Sequence, residues 1–208
     1  MMIKEKSKTW GYISNQIGVI FSKYPVSPNV YTWLTLPPAF LGCFALIYGH
    51  IVSGVLLFIL SGFLDLVDGA VARKTNQSSY RGAFLDGSLD RVVDFLLIFS
   101  YFWIPMQMPV LNQGEWIAIA GFCAIMPSFE VAYANHRKAV EDPEEKIIWR
   151  ILNRGEMYVL MLLIPFVSMF SHVWSGYLLV LLVVLSGITT LQTFFNTLRL
   201  ALINETKN

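Results

Sequence analysis

The chain has 208 residues, 55% of them hydrophobic and 14% charged, with a net charge of +1 and a mean hydropathy of +0.56. This is too apolar and too sparsely charged for a water-soluble domain, and no nucleic-acid partner is expected of it. The composition predicts an all-α integral membrane protein, with residues 1–208 forming one membrane domain.

The first predicted element, about residues 4–24, is too polar to cross a bilayer. Trp10, Ile13, Ile17, Phe21 and Tyr24 recur at helical spacing, with Asn15, Gln16, Ser22 and Lys23 elsewhere around the wheel. That pattern predicts an amphipathic helix lying in the headgroup region. No cleavable leader is expected, because no small-residue cleavage site follows a compact apolar run. "VSPNV" ends this helix: Pro28 disfavours helix at Ser27 and is well placed to open the next one. Asn29 beside it reads either as a helix-initiating residue or as a nucleotide contact.

Six apolar runs follow, at about 30–48, 51–73, 82–105, 115–137, 150–171 and 174–200, each near the ~20 residues that a helix needs to span the hydrocarbon. Pro37, Pro127 and Pro165 fall inside these spans and are expected to bend them. Cys43 and Cys123 lie in separate apolar runs and read as small buried hydrophobes. The loops near Gly49, at "MPVLNQG" and near Ser171 carry no Lys or Arg, whereas Lys4, Lys6, Lys8, Lys23, Arg73, Lys74, Arg81, Arg137, Lys138, Lys146, Arg150, Arg154, Arg199 and Lys207 fall on the other side. Basic residues accumulate in cytoplasmic loops, so both termini are expected there, with "VEDPEEK" as a solvated loop on the same side.

The apolar pattern is interrupted at "FLDLVDGAVARKTNQSSYRGAFLDGSLDRVVDFLLIF", residues 63–99, which holds Asp65, Asp68, Asp86, Asp90 and Asp94. In the second span, Asp65, Asp68, Gly69 and Ala72 share one face. In the third, Gly82, Asp86, Asp90 and Asp94 step by four along another. An antiparallel hairpin closed by "KTNQSSYR" turns the two acidic faces towards each other, with Asp68 and Asp86 at similar depth and Asp65 and Asp90 about a turn further in. Carboxylates so close in a low dielectric must protonate or bind cations. An oxygen-only donor set favours Mg²⁺ or Mn²⁺ over Zn²⁺ or copper. Gly69, Ala72 and Gly82 leave room for a metal-bound phosphate against the backbone. Two other readings use the same acids: pairing with Arg73 and Arg91 to fix helix packing, and a carboxylate-based ion or proton transporter. A transporter calls for a polar track across the bilayer, yet "FLLIFSYFWIPM" beyond Asp94 is almost wholly apolar.

"DLVDGAVAR", eight residues, then "GAFLDGSLD" matches D-x2-D-G-x2-A-R-x8-G-x3-D-x3-D at every specified position. The chain thereby resembles the CDP-alcohol phosphotransferase family (CDP-alcohol phosphatidyltransferase class I), and in local style its archaetidylinositol-phosphate and phosphatidylinositol-phosphate synthase branch. The resemblance implies a phospholipid-biosynthetic transferase that moves a phosphatidyl- or archaetidyl-type group from a CDP-linked lipid to a small alcohol and releases CMP. It implies two divalent cations, Mg²⁺ or Mn²⁺, on Asp65, Asp68, Asp86 and Asp90, with Asp90 also the general base. It implies a CDP site at Asp65, Asp68, Gly69, Ala72, Arg73 and Gly82, together with a homodimer in a prokaryotic cytoplasmic membrane. Arg137 closes the fourth span and Arg154 opens the fifth. Both read as binders of an acceptor phosphate, against plain cytoplasmic anchoring. Asp94 either contacts the acceptor or holds Arg91. Inositol phosphate is the expected acceptor, with glycerol phosphate or serine as alternatives; Asn135 and Met157 stand where the branch carries basic residues.

Overall fold

The computed structural model describes residue 12, residues 14–139 and residues 151–206. Trp10, Ile13 and the predicted cytoplasmic charges Lys4, Lys6, Lys8, Lys146, Arg150 and Lys207 lie outside the described residues, as does the acidic loop around Pro143. All regular structure among the described residues is helical. We label the helices α1 (14–21), α2 (Pro28–Leu34), α3 (Leu36–Ile47), α4 (Ile51–Lys74), α5 (Tyr80–Ser100), α6 (Gln113–His136), α7 (Arg154–Ser168) and α8 (His172–Glu205). The chain divides into two compact units, Met1–Ser100 and Tyr101–Asn208.

Four stretches are long and apolar enough to cross a membrane: Pro28–Ile47, Ile51–Lys74, Gln113–His136 and His172–Ile203. They correspond to the first, second, fourth and sixth predicted spans. The other two predicted spans do not meet that standard among the described residues. The third, predicted over 82–105, is helical over Tyr80–Ser100 but carries Arg81, Asp86, Asp90, Arg91 and Asp94. The fifth, predicted over 150–171, is the 15-residue α7, about 22 Å long against a hydrocarbon core of ~30 Å.

In the first unit, the first span is divided at Thr35. Neither Pro37 nor Pro38 has an N–H to continue the ladder, and hydroxyls bond the backbone around the break: Ser61 Oγ donates to the Thr35 carbonyl at 2.9 Å, and Thr35 Oγ1 to Thr32 O at 2.7 Å. α3 crosses α4 closely at Gly42 and Gly54, where a Cβ on either glycine would stand 3.0–3.1 Å from the other's carbonyl oxygen. Small residues at such crossings let helix backbones approach. α3 also packs on α5, while α4 and α5 meet over only a short stretch. The predicted hairpin is therefore joined through a third helix rather than zipped along its length.

α1 departs from expectation in which face it uses. Ile17 and Phe21 pack on the buried cluster of Tyr31, Val67 and Val71, with Phe21 edge-on to Tyr31 and Phe63 at 6.0 and 5.9 Å. Tyr12, Ile20 and Tyr24 are the exposed apolar positions. The face assigned to lipid is thus partly a protein-facing one.

In the second unit, α6 and α7 both pack on α8. Asn112 and Glu115 form a reciprocal capping box at the start of α6. Tyr101, fully buried, donates its hydroxyl to Met161 O at 2.8 Å. Pro127 and Pro165 lie inside helices that continue past them.

Candidate functional site

Both halves of the acidic motif come from helices whose ends are locally specified. α4 stops at Thr75, whose hydroxyl bonds Val71 O at 2.8 Å. Asn76 then takes a left-handed φ of 55°, and Gln77 N–H returns to Ala72 O at 3.0 Å. This is the carbonyl-satisfying helix ending that Asn tolerates almost as well as Gly. α5 starts just after Ser79, whose Oγ accepts the Gly82 N–H at 3.0 Å. The turn between them brings Asp68 and Asp86 to one level.

Asp65, Asp68 and Asp86 each present a carboxylate oxygen within 4.8 Å of the other two. Asp68 is only 5% exposed, and its Oδ2 is buried without a hydrogen-bond partner. Thr32 lines the same cavity as Asp68. Three like charges in this setting repel each other, and an orphaned buried oxygen costs desolvation energy. An oxygen-binding divalent cation relieves both. The donor set therefore fits Mg²⁺ or Mn²⁺.

A cavity of 190 Å³ adjoins the carboxylates, and Asp68 and Asp86 lie in its wall. Gly69, Ala72, Arg73 and Gly82, all predicted for nucleotide binding, line it too; Asp65 belongs to the carboxylate trio but not to this wall. The glycines are explained by what surrounds them. A Cβ on Gly69 would sit 3.2 Å from an Arg73 guanidinium nitrogen, and one on Gly82 would sit 3.1 Å from Asn29 Oδ1 and 3.2 Å from Ser79 Oγ. Side chains at either place would crowd the polar groups of the wall.

Asp90 and Asp94 are not members of the trio. Asp90, buried, lies one helical turn along α5 from Asp86. Asp94 is 1% exposed and receives Arg91 Nη1 on Oδ2 at 3.0 Å, which matches the expectation that it holds Arg91. Arg137 and Arg154 belong to the second unit. Arg137 is the last-turn cap of α6, its guanidinium 5.8 Å from the centre of the Tyr133 ring. Arg154 is the first residue of α7, where the Glu156 carboxylate accepts the Asn153 N–H at 3.1 Å.

Thr32 and Ser79 line the cavity without having been singled out from the sequence. Each has a weak signal. Thr32 stands one turn beyond the "SPN" helix start, but a Thr in an apolar span reads as bonding its own helix, as it does to Pro28 O at 3.2 Å. Ser79 precedes a helix, where it reads as a cap.

The CDP-alcohol phosphatidyltransferase family model matches residues 26–195. Archaetidylinositol phosphate synthase of Aeropyrum pernix is 42% identical over 84 residues, covering 40% of this chain and 43% of that protein. Its counterpart in Pyrococcus horikoshii is 27% identical over 181 residues, covering 86% and 88%. The chain spans 58% and 43% of the length of two of its curated relatives. The crystal structure of Mycobacterium tuberculosis phosphatidylinositol phosphate synthase with CDP-DAG bound shares the fold, with a TM-score of 0.72 at 23% identity over 89% of this chain and 94% of that one. The same enzyme is also known in complex with manganese and citrate.

Proposed function

This chain belongs to the CDP-alcohol phosphatidyltransferase family, and we propose that it transfers a phosphatidyl- or archaetidyl-type group from a CDP-linked lipid to the hydroxyl of inositol phosphate, releasing CMP. One observation carries the reading: Asp65, Asp68 and Asp86 converge to within 4.8 Å beside a cavity walled by Gly69, Ala72, Arg73 and Gly82. Relatives and a structural neighbour named as inositol-phosphate-lipid synthases support the acceptor.

Asp65, Asp68 and Asp86, with Asp90, hold two divalent cations, Mg²⁺ or Mn²⁺, which when bound neutralise the diphosphate and polarise the phosphorus under attack. Gly69 and Gly82 let the nucleotide diphosphate lie near the backbone, and Arg73 supplies charge-assisted hydrogen bonds to it. Asp90 takes the proton from the acceptor hydroxyl as that oxygen bonds to the lipid-bearing phosphorus and the bond from that phosphorus to the CMP oxygen breaks. Arg137 and Arg154 bind the acceptor's phosphate. Asp94 holds Arg91 and contacts the acceptor with its other oxygen.

The architecture proposed with this chemistry is one domain in a prokaryotic cytoplasmic membrane, acting as a homodimer. It has six spans, with α1 at the interface and both termini and the site on the cytoplasmic side. A family match running unbroken across both compact units supports the single domain. Exposed Phe84, Val92 and Phe95 give α5 an apolar outer face opposite its acids, which supports its crossing. Loops free of Lys and Arg support the orientation.

The test is CMP release by purified protein from CDP-diacylglycerol and CDP-archaeol, each with Mg²⁺ or Mn²⁺ and a panel of acceptors including inositol phosphate, glycerol phosphate, inositol and serine. Release that depends on inositol phosphate and ceases with EDTA is expected. No release with any pair defeats the enzyme reading and returns the acids to ion transport.

A further inference from the structure

The short helix α1 carries no signature residue, yet it reaches one. Ser14 Oγ accepts a hydrogen bond from Arg73 Nη2 at 2.8 Å, and the same guanidinium lies over Gly69 in the cavity wall. The contact is built into the packing. One turn along from Ser14, Gly18 faces α4 so closely that a Cβ would stand 2.8 Å from the Ala70 carbonyl oxygen and 3.2 Å from Lys74 Cβ. Ile17 and Phe21 anchor the same helix on Val67, Val71 and Tyr31. Ser14, Gly18 and Phe21 recur at helical spacing, so a single face of α1 supplies a hydroxyl, a close-approach point and an apolar anchor to α4.

A long arginine side chain at an exposed position samples many rotamers, and ordering it on a ligand costs conformational entropy. A fixed acceptor outside the cavity removes part of that cost before the ligand arrives. The hydroxyl suits this task because it holds the guanidinium without neutralising it, leaving the charge for a phosphate. We infer that Ser14 is a positioning residue that pre-orients Arg73 for the diphosphate of the CDP-linked lipid. The inference rests on the transferase reading above.

The test compares Ser14→Ala and Ser14→Thr with the native full-length protein in the CMP-release assay, titrating CDP-diacylglycerol in detergent micelles at saturating Mg²⁺ and acceptor. Ser14→Ala is expected to raise KM for the CDP-lipid by about three- to tenfold, the range of one net hydrogen bond, with kcat changed by less than about twofold. Ser14→Thr keeps the hydroxyl and is expected to restore a KM close to native. A native KM in Ser14→Ala overturns the inference, as does a Thr variant as impaired as the Ala variant, since either dissociates the hydroxyl from substrate binding. A native protein that releases no CMP under any condition overturns the transferase reading first and this role with it, whereas an active native protein with unaffected variants overturns this role alone.

Discussion

α4 and α8 are both long and apolar enough to cross a membrane, and both bury polar side chains. They do so in opposite ways. On α8 three buried hydroxyls donate to their own helix: Ser186 to Leu182 O at 2.7 Å, Thr189 to Leu185 O at 2.8 Å and Thr193 to Thr189 O at 2.8 Å. On α4 the buried polar groups are Ser61, a hydroxyl that donates across to Thr35 O, and Asp68, a carboxylate that accepts only when ionised and finds few donors on a helix wall whose N–H groups are already engaged. Asp68 retains a buried oxygen without a hydrogen-bond partner. A hydroxyl in a span can thus be met by a backbone carbonyl of its own or a packed helix and says little about function, whereas a carboxylate there must be settled by something brought to it.

The sharpest way to break this contrast is to remove the charge while keeping the shape. Asp65→Asn, Asp68→Asn and Asp86→Asn should each lower kcat by about 10³-fold or more, since a metal clamp supplies several kcal/mol of transition-state stabilisation. They should also weaken Mn²⁺ binding measured directly by calorimetry. More than about a tenth of native turnover in any of them would remove that residue from the ligand set. Asp90→Asn comes next, with an expected rate loss of about 10²–10⁴-fold and near-native affinity for CDP-diacylglycerol. An equal loss of binding would make Asp90 chiefly a ligand.

Smaller effects sharpen the comparison from the second unit. Arg154→Ala should raise KM for inositol phosphate by about 10–150-fold, the equivalent of the ~1.5–3 kcal/mol carried by a hydrogen bond to a charged group, with KM for the CDP-lipid little changed. Preference of the native enzyme for unphosphorylated inositol or serine would end that assignment. The smallest effect belongs to α8. Thr193→Val deletes a hydroxyl whose acceptor carbonyl already serves the helix ladder, so it should alter thermal stability by less than about 1 kcal/mol and leave CMP release unchanged. A collapse of activity there would show that the α8 hydroxyls do more than satisfy themselves.

Much of the site was legible in advance because it is local. The i, i+3, i+4 and i+7 spacing puts Asp65, Asp68, Gly69 and Ala72 on one face whatever surrounds the helix. The eight-residue spacer between Arg73 and Gly82 contains a turn with its own stop and start signals at Asn76 and Ser79. The apolar runs and the basic residues at their ends followed from hydropathy and charge alone, and so did the mismatch between the carboxylates and a membrane interior. The count of six spans goes beyond hydropathy, because α5 and α7 lack the apolar length that hydropathy can recognise alone.

What only the tertiary structure decided concerns which face meets which neighbour. Periodicity identifies the stripe formed by Ile17 and Phe21 but cannot say whether lipid or protein covers it; here α2 and α4 do. It places Asp86 and Asp90 on one side of α5, but the separation of α4 from α5 is set by α3 and α2 packing against both. That separation brings Asp86 to Asp65 and Asp68 and leaves Asp90 a turn away. Thr32 and Ser14 enter the neighbourhood of the site from helices that carry none of the signature, through distances no spacing encodes. Helical repeat determines angles around a single axis, and the contacts that make a site depend on distances between axes, which the side chains of every packed helix determine together.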